Sequence, residues 1–349
     1  MYEVPSTMNL PAAGRPSSEI ESNRNLSQGL LGTSYLVHGT KKRMKKITTI
    51  LIALLISVGT FGQSRKYMSQ FSHMQGYFNP ALTAYEGTMV KGLVRNQWAG
   101  WEGAPKMNFV SAELDFANLG GSGDLGKNAI GVNLLSDEYG AFTESELILS
   151  YATRIQVSEK AGLRMGAGLN INSIRLDGTR LTTEQANDPT LAQYVGGFSD
   201  MNILDLNIGM SVTHPDYYVS YAVHNVNEGS ISSGDIFMDK KPRVGIAQAG
   251  YRNRFTEKVT LITNAMWRTQ SDLPANVEFN MKFLFKDKFW VGGGHRVDYA
   301  NNAQVGVLLG KLRFGYVYEW PMLQSYLLPN QTHEFMVSMR LFGGNATIW

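Results

Sequence analysis

Hydrophobic and polar residues alternate one by one along much of the chain after residue 88. The clearest run is 276–285, where the odd positions are Val, Phe, Met, Phe and Phe and the even positions up to 282 are Asn, Glu, Asn and Lys. Successive side chains of a β-strand point to opposite faces, so a period of two predicts a strand with one apolar and one polar face. The same alternation recurs in residues 204–210, 259–268 and 334–341. The pattern therefore predicts an all-β chain.

These alternating segments predict about 14 strands, an even number, as single-chain bacterial barrels generally have. A soluble β-sandwich would bury the apolar faces against a second sheet, but charged residues at mid-strand inner positions do not suit a packed core. They suit a transmembrane antiparallel up-and-down β-barrel, whose apolar face meets lipid and whose polar face lines the lumen. The predicted strands are 88–98, 106–116, 127–137, 143–155, 161–174, 201–213, 216–225, 242–252, 257–269, 275–286, 288–298, 301–309, 311–320 and 331–342.

The lengths of the predicted connections alternate along the chain. If the first strand runs outward, the turns at one end are short and are expected in the periplasm, whereas the loops at the other end are long and are expected outside the cell. The glycine-rich connection 118–126 is too long for its periplasmic position. The short set includes 156–160, 214–215, 253–256, 287 and 310, and the long set includes 175–200, 226–241 and 321–330.

Tyrosine and tryptophan residues cluster near predicted strand ends. Their rings combine an apolar body with a polar tip, which favours the headgroup region of a bilayer. Each one by itself is also compatible with ordinary packing, but together they predict aromatic girdles. The residues are Trp98, Tyr151, Tyr251, Trp267, Trp290, Tyr299 and Trp320.

The longest apolar run, residues 47–61, follows a basic cluster and is followed by the small residue Gly62. It is shorter than the roughly 18–20 residues of a spanning helix. Its flanks are typical of a secretory signal peptide rather than of a buried core helix. We therefore expect a spurious or disordered leader at 1–43, a signal peptide at 44–62, an N-terminal periplasmic or lumen segment at 63–87, and the outer-membrane barrel at 88–349.

Charge and cysteine content narrow the classes of function. Residues 1–62 hold seven of the 32 Lys and Arg residues and three of the 29 Asp and Glu residues, which leaves 25 against 26 and a net charge of −1 in the remainder. The positive excess therefore belongs to the export segment and gives no indication of nucleic-acid binding. The chain contains no cysteine, which excludes a disulfide framework and a thiolate metal site.

A group of short motifs follows the predicted signal peptide. Asn79-Pro80-Ala81 is followed by Gly87, then by Arg95-Asn96-Gln97-Trp98 at the end of the first predicted strand, and then by Gly103-Ala104-Pro105 before the second. These motifs, with the glycine-bearing strand 129–137, make the chain similar to the PorP/SprF family of Bacteroidetes outer-membrane proteins. The resemblance covers essentially the whole chain after the signal peptide.

The resemblance implies a role in the type IX secretion system and, in gliding relatives, in the export or surface attachment of a large adhesin. The implied partners are an adhesin-like secreted surface protein, other type IX secretion components with periplasmic ones among the candidates, and outer-membrane lipid. The family contributes no catalytic residue, cofactor or metal. The residues that match its motifs, and are therefore candidate partner contacts, are Asn79, Pro80, Arg95, Asn96, Gln97, Trp98, Gly103, Ala104 and Pro105.

These motifs also have a structural interpretation. Proline fixes its own φ and extends the preceding residue, so Asn79-Pro80 predicts a rigid turn. Gly103-Ala104-Pro105 would close the first extracellular hairpin. Arg95 has two open interpretations, since it can pair with a lumen carboxylate or face a partner. The segment 63–87 is too long to be a simple leader, and we expect it to line or plug the lumen or to contact periplasmic components.

The sequence leaves three functions open. The first is a non-enzymatic secretion accessory, and the second is a passive, porin-like diffusion channel through the polar lumen. The third is a barrel enzyme acting on envelope lipids, which needs a nucleophile and a base side by side. His295, which follows three glycines, is the candidate base, but no histidine after residue 62 lies in a metal-ligand motif. We therefore expect the secretion accessory and no enzyme activity.

Overall fold

The computed structural model describes residues 66–101, 103–120, 126–181, 194–236, 241–271, 273–322, 331–342 and 349. The predicted leader and signal peptide therefore lie outside the described residues. The strands are β1 (Met89–Asn96), β2 (Lys106–Asp115), β3 (Asn128–Tyr139), β4 (Phe142–Gln156), β5 (Gly162–Asp177), β6 (Phe198–Thr213), β7 (Tyr217–His224), β8 (Ile231–Gly234), β9 (Val244–Thr256), β10 (Val259–Gln270), β11 (Leu273–Phe285), β12 (Phe289–Arg296), β13 (Ala300–Leu309), β14 (Leu312–Pro321) and β15 (Thr332–Arg340).

Fourteen of these strands, all except the short β8, close into one antiparallel barrel within the described residues. Each pairs with its neighbour along the chain, and β15 pairs with β1 to close the ring. The strand β8 adds to the start of β6, so β7 pairs directly with β9. The predicted all-β, up-and-down barrel is confirmed, and the predicted strand ends lie within four residues of the observed ones.

The two faces of the barrel wall differ in polarity. On β15, Phe335, Val337 and Met339 point outward and are 55, 42 and 41% exposed, whereas Glu334 and Ser338 point inward and are buried. The same division holds for the other long strands, where exposed side chains are mainly apolar and buried ones include many charged and amide groups. A soluble protein would bury the apolar set instead. The arrangement fits a barrel whose outer surface is covered by lipid.

The lengths of the connections indicate which end of the barrel faces the cell exterior and which faces the periplasm. The turns after β9, β11 and β13 cover only 257–258, 286–288 and 310–311, whereas the loops after β5 and β7 cover 178–197 and 225–243. The long loops share one end with three short connections, those after β3, β10 and β12. We refer to the end with the long loops as the outer mouth and to the other as the periplasmic end.

Helical structure is confined to short segments in the described residues, and no helix there is long and apolar enough to cross a bilayer. One of them lies in the long periplasmic connection after β2, where the carboxylate of Asp115 accepts hydrogen bonds from the backbone N–H groups of Ala117 and Gly126. The helical segments are α1 (Gln75–Phe78), α2 (Phe116–Leu119) and the 3-10 turns Pro80–Leu82 and Gly178–Arg180.

The predicted aromatic girdles are only partly observed. Trp290 is 2% exposed and faces the lumen, so its assignment to a girdle is wrong. It occupies an inward position of β12, and its indole fills the space that a side chain at Gly306 would need. The ring of Tyr299 also packs inward, 5.6 Å from the ring of Tyr67. The predicted residues that are exposed on the outer surface are Tyr151, Tyr251, Trp267 and Trp320, at 47, 50, 48 and 40%.

Candidate functional site

The lumen of the barrel is filled by residues 66–88, which we call the plug. Every residue from 67 to 86 is buried. Lys66 lies at the outer mouth beside β4, His73 lies in the periplasmic half beside β11, and Tyr77 returns to the outer half of β4. From there the chain runs down to the start of β1. The plug therefore passes along the lumen three times, and its polar groups meet inward side chains of most of the wall.

The Asn79-Pro80 motif forms a tight turn inside the plug. The side-chain oxygen of Asn79 accepts a hydrogen bond from the backbone N–H of Ala81 at 2.9 Å, and its amide nitrogen donates to the carbonyl of Met210 at 3.2 Å. Pro80 begins the 3-10 turn, a position that suits its fixed φ and its missing N–H. The turn that the motif predicts thus lies deep in the lumen, against β6.

Two wall glycines, Gly166 on β5 and Gly209 on β6, make room for this turn, and we call them the glycine pair. They lie opposite each other in register. A Cβ at Gly166 would lie 2.3 Å from the backbone nitrogen of Ala81, and a Cβ at Gly209 would lie 2.0 Å from Oδ1 of Asn79. Both distances are far below an ordinary contact of about 3.5–4.0 Å. Glycine is therefore required for the plug to approach the wall this closely.

Arg95 pairs with lumen carboxylates, so the first of its two interpretations is the observed one. Its guanidinium lies 2.7 Å from Glu319 and 3.1 Å from Glu334. Glu334 also accepts hydrogen bonds from the backbone N–H groups of Ser69 and Gln70, at 2.9 and 2.8 Å. All these groups are buried. Because each charge has both a counter-ion and hydrogen bonds, the cluster fixes the first pass of the plug to the wall.

A second guanidinium, that of Arg296, extends this cluster. It lies 3.0 Å from Glu278 and 3.2 Å from Glu319. Its central carbon lies 4.1 Å from the ring centre of Tyr67, close enough for a cation–π interaction. Cationic residues from two strands thus hold the plug near the outer mouth.

A separate charged cluster holds the last residues of the plug near the periplasmic end. Glu86 accepts hydrogen bonds from Arg313 at 3.0 and 3.1 Å and lies 3.9 Å from Lys91. Lys91 also pairs with Glu113 at 2.8 Å, and Glu113 accepts a hydrogen bond from the backbone N–H of Ala84 at 2.7 Å. The plug is therefore fixed electrostatically at both ends of the lumen.

Lys282 is a buried cation with no carboxylate at ion-pair distance among the described residues. Its ammonium donates to the hydroxyl of Ser72 at 2.8 Å and to the carbonyl of Trp349, and lies 3.1 Å from Nε2 of His73. Burial, followed by the positive charges of Lys282 and Arg313, holds the pKa of His73 well below its ordinary value. A neutral His73 can accept a hydrogen bond from Lys282, whereas a protonated one could not.

The remaining motif residues form the first outer loop. The backbone N–H of Gln97 donates to the carbonyl of Pro105 at 3.0 Å, and the carbonyl of Gly103 accepts from Gly140 of the next outer connection at 3.0 Å. Trp98 has a φ of 53° and Gly103 a φ of 69°, in the left-handed region that a tryptophan rarely adopts. The motif residues thus divide between the lumen (Asn79, Pro80 and Arg95) and the strand end and loop at the outer mouth (Asn96, Gln97, Trp98, Gly103, Ala104 and Pro105).

A cavity of about 210 Å³ remains at the outer mouth, and we call it the outer vestibule. Glu144 and Glu146 on one side of it bind Lys66 of the plug at 2.7 and 2.9 Å and Lys241 of the loop 225–243 at 3.2 and 3.3 Å. Burial alone would lower the pKa of Lys66, but the two carboxylates outweigh it and hold that pKa well above its ordinary value. One carboxylate pair therefore joins the plug to an outer loop.

Apart from Arg95, no individual charged wall residue was predicted to have a partner in the lumen, and the glycine pair was not predicted. Both occupy inward positions, and the alternation that predicts a strand also predicts the face on which each residue lies. A charged residue or a glycine at an inward position was therefore the available signal. The partner of each residue was not predictable, because the plug has no regular period.

Comparisons with known proteins give one family match and several distant structural matches. The family model for the type IX secretion system membrane protein PorP/SprF matches residues 60–339. The CymD monoaromatic hydrocarbon channel is 10% identical over 82% of this chain and 96% of its own, with a TM-score of 0.47. The outer membrane protein Omp33 of Acinetobacter baumannii is 10% identical over 73% and 98%, with a TM-score of 0.43. The toluene transporter TodX of Pseudomonas putida is 10% identical over 81% and 98%, with a TM-score of 0.41. No curated protein matches the chain.

The family match includes the whole plug and nearly the whole barrel wall. The chain therefore belongs to the PorP/SprF family and is an outer-membrane β-barrel of the type IX secretion system.

Proposed function

We propose that this barrel is a non-enzymatic accessory of type IX secretion that engages a large, adhesin-like secreted protein at its outer mouth. It would aid the export of that protein or its attachment to the cell surface. The observation that carries the proposal is the family match over residues 60–339. Other components of the secretion system are the expected further partners.

The filled lumen supports engagement at the mouth rather than passage of a polypeptide through this barrel. Glu334 of the wall accepts a hydrogen bond from the plug backbone, and Glu86 of the plug forms a buried ion pair with Arg313 of the wall. Removing one partner of a buried ion pair costs about 3–5 kcal/mol, so displacement of the plug would be strongly unfavourable. A secreted chain would have to displace the plug before it could pass.

Affinity purification tests the proposal directly. The tagged barrel is isolated from its native outer membrane in mild detergent, and its partners are identified by mass spectrometry, with an equally tagged barrel of another family as the control. We expect a large secreted or surface protein together with other secretion components. Recovery of the barrel alone, under conditions that keep known envelope complexes intact, would favour a passive channel instead.

Conductance in planar bilayers separates the accessory from a porin-like channel. We expect the purified barrel to be closed apart from rare openings, because the plug occupies the lumen. A variant that lacks residues 66–86 serves as the positive control. It should show a steady current, which would confirm that the barrel inserts into the bilayer. A steadily open, ohmic pore in the intact protein would contradict the proposal. Unchanged partner recovery with the deletion variant would exclude a role for the plug in binding.

His295, the candidate base of an enzyme, has a different partner. Its Nδ1 lies 2.8 Å from the side-chain oxygen of Asn301 on the neighbouring strand. This contact supports a hydrogen-bonded polar residue of the wall. We expect the substitution His295→Ala to leave partner recovery unchanged. A lipid-cleaving activity that is lost on this substitution would overturn the non-enzymatic proposal.

A further inference from the structure

The outer vestibule has the size of one long side chain. Its volume is about 210 Å³, whereas pockets for drug-sized ligands measure about 300–1,000 Å³. Aromatic groups of the plug and strand ends, among them Tyr77, Phe78 and Tyr139, lie beside its charged residues. An apolar stem with a charged tip would suit such a lining.

Five of the charged groups that face the vestibule have partners. Glu144 and Glu146 bind Lys66 and Lys241, as described above. The guanidinium of Arg268 donates to the carbonyl of Lys66 at 2.8 Å and lies over the ring of Phe78, 5.4 Å from its centre. These groups therefore stabilise the plug and the outer loop.

Asp137 is the sixth charged group, and it differs from the others. It lies near the outer end of β3, opposite Glu144 in register, and is 7% exposed. Its carboxylate has no hydrogen-bond or ion-pair partner among the described residues. It lines both the vestibule and a narrow cleft beside it, which is also lined by the motif residues Arg95, Gln97 and Pro105. The guanidinium of Arg95 is paired with Glu319 and Glu334 and not with Asp137. A buried carboxylate without a partner is costly, so a cation at this position would be strongly favoured.

We propose that Asp137 is the counter-ion for a lysine or arginine side chain that the secreted partner inserts into the outer vestibule. This inference rests on the proposed function, since the partner is the protein engaged at the mouth. The stem of the inserted side chain would pack against the ring of Tyr139, and its charged tip would meet Asp137. The lysines already bound to Glu144 and Glu146 show that this mouth accommodates such groups.

The test uses a thiol introduced beside Asp137. The chain contains no cysteine, so Gln97→Cys introduces a single reporter thiol into the full-length barrel. This thiol lies in the narrow cleft that Asp137 also lines. The rates of modification by a cationic and an anionic methanethiosulfonate reagent are compared. When Asp137→Asn is added, we expect the cation-to-anion rate ratio to fall by up to about thirtyfold, because one charge about 4 Å away in water changes each of the two rates about fivefold, in opposite directions. Asp200→Asn is the matched control, because Asp200 also lies at the outer end but is exposed.

A competition experiment then measures occupancy. n-Butylammonium, which mimics a lysine side chain, should slow modification of the reporter, whereas neutral n-butanol should not. The protection should disappear in Asp137→Asn and persist in Asp200→Asn. Equal protection by both compounds, or protection that survives Asp137→Asn, would overturn the inference.

The outcomes for the subsite and for the proposed function are separable. The thiol assay contains no secretion partner, so its failure would remove the subsite and leave the secretion role intact. If the thiol assay succeeds but no secreted protein is recovered with the barrel, the subsite for a basic side chain stands and the secretion role fails. If both hold, Asp137→Asn should lower recovery of the secreted protein and Asp200→Asn should not.

Discussion

Replacing Gly166 by alanine should loosen the plug while the barrel wall stays closed. The added methyl group would lie 2.3 Å from both the backbone nitrogen of Ala81 and the carbonyl carbon of Pro80. These are backbone atoms rather than the end of a flexible side chain, so the whole turn must move away from β5. Gly92 on β1 is the matched control, because a methyl group there would face lipid and lie 3.5 Å from Val337.

The magnitude follows from the overlap. Carbon atoms in contact are ordinarily about 3.5–4.0 Å apart, so the turn must retreat by more than about 1 Å. Overpacking of this kind costs typically about 1–3 kcal/mol. The retreat would also stretch the 3.2 Å hydrogen bond from Asn79 to Met210. A cost of about 2 kcal/mol against docking raises the undocked fraction about thirtyfold.

Thiol labelling measures this fraction. Thr83 of the plug is fully buried and its hydroxyl has no hydrogen-bond partner, so Thr83→Cys is a mild change in a chain without other cysteines. Labelling by a water-soluble maleimide tracks the open population when opening and closing are fast. We expect Gly166→Ala to accelerate labelling about thirtyfold and Gly92→Ala to leave it unchanged. The folding of both barrels is checked by heat modifiability, the shift in gel mobility on boiling. Equal labelling rates in the two folded variants would refute the role assigned to the glycine pair.

Three other predictions follow from the charges and faces of the wall. Arg95→Met should cost about 3–5 kcal/mol in urea unfolding from lipid vesicles, because it leaves the buried Glu334 without a cation, whereas Glu319 keeps its pair with Arg296. Arg175→Met, at an exposed pair, should cost less than about 1 kcal/mol, and equal costs would contradict the role given to burial. Val337→Arg, at mid-strand on the outward face, should lower the free energy of unfolding by about 2–4 kcal/mol in the same measurement. An unchanged free energy of unfolding would show that this face does not contact lipid. The pKa of His73 is lowered by burial and nearby cations, so its contribution to docking is complete above the pKa of the undocked residue, about 6.5, and is lost as the pH falls below it. The labelling rate of the introduced thiol at position 83, divided by the rate of a free thiol at the same pH to correct for the loss of thiolate, should therefore rise by up to about tenfold per pH unit below about 6.5. His73→Asn should reduce that rise, and the same rise in both proteins would contradict the role given to His73.

Two residues of the narrow cleft beside the outer vestibule belong to segments that could be predicted from the sequence. The sequence predicts both the motif that contains Gln97 and the strand that contains Asp137. Their proximity depends on how β1, β2 and β3 pair in register, because Gln97 follows β1 and Asp137 lies on β3, with β2 between them. The sequence alone therefore predicts the segments that contain these two residues, but it does not predict that the residues line the same cleft.

The strands, their antiparallel order and the polarity of their two faces were determined by the sequence itself. The physical reason is that alternation is a local property, since neighbouring side chains of an extended chain must point to opposite sides. The family motifs were equally local, because Asn79-Pro80 and the loop at 97–105 depend on residues adjacent in the chain.

The contents of the lumen were decided only by the tertiary structure. Arg95 meets Glu319 and Glu334, which are 224 and 239 residues away along the chain, only because the barrel closes between β1 and β15. Trp290 occupies an inward position of β12, and its ring fits there only because Gly306 on the adjacent strand leaves space for it. The plug has no regular pattern of hydrophobic and polar residues from which its path could be predicted. Its path is fixed by the charges and glycines of the surrounding wall, and these contact it only once the strands have closed around it.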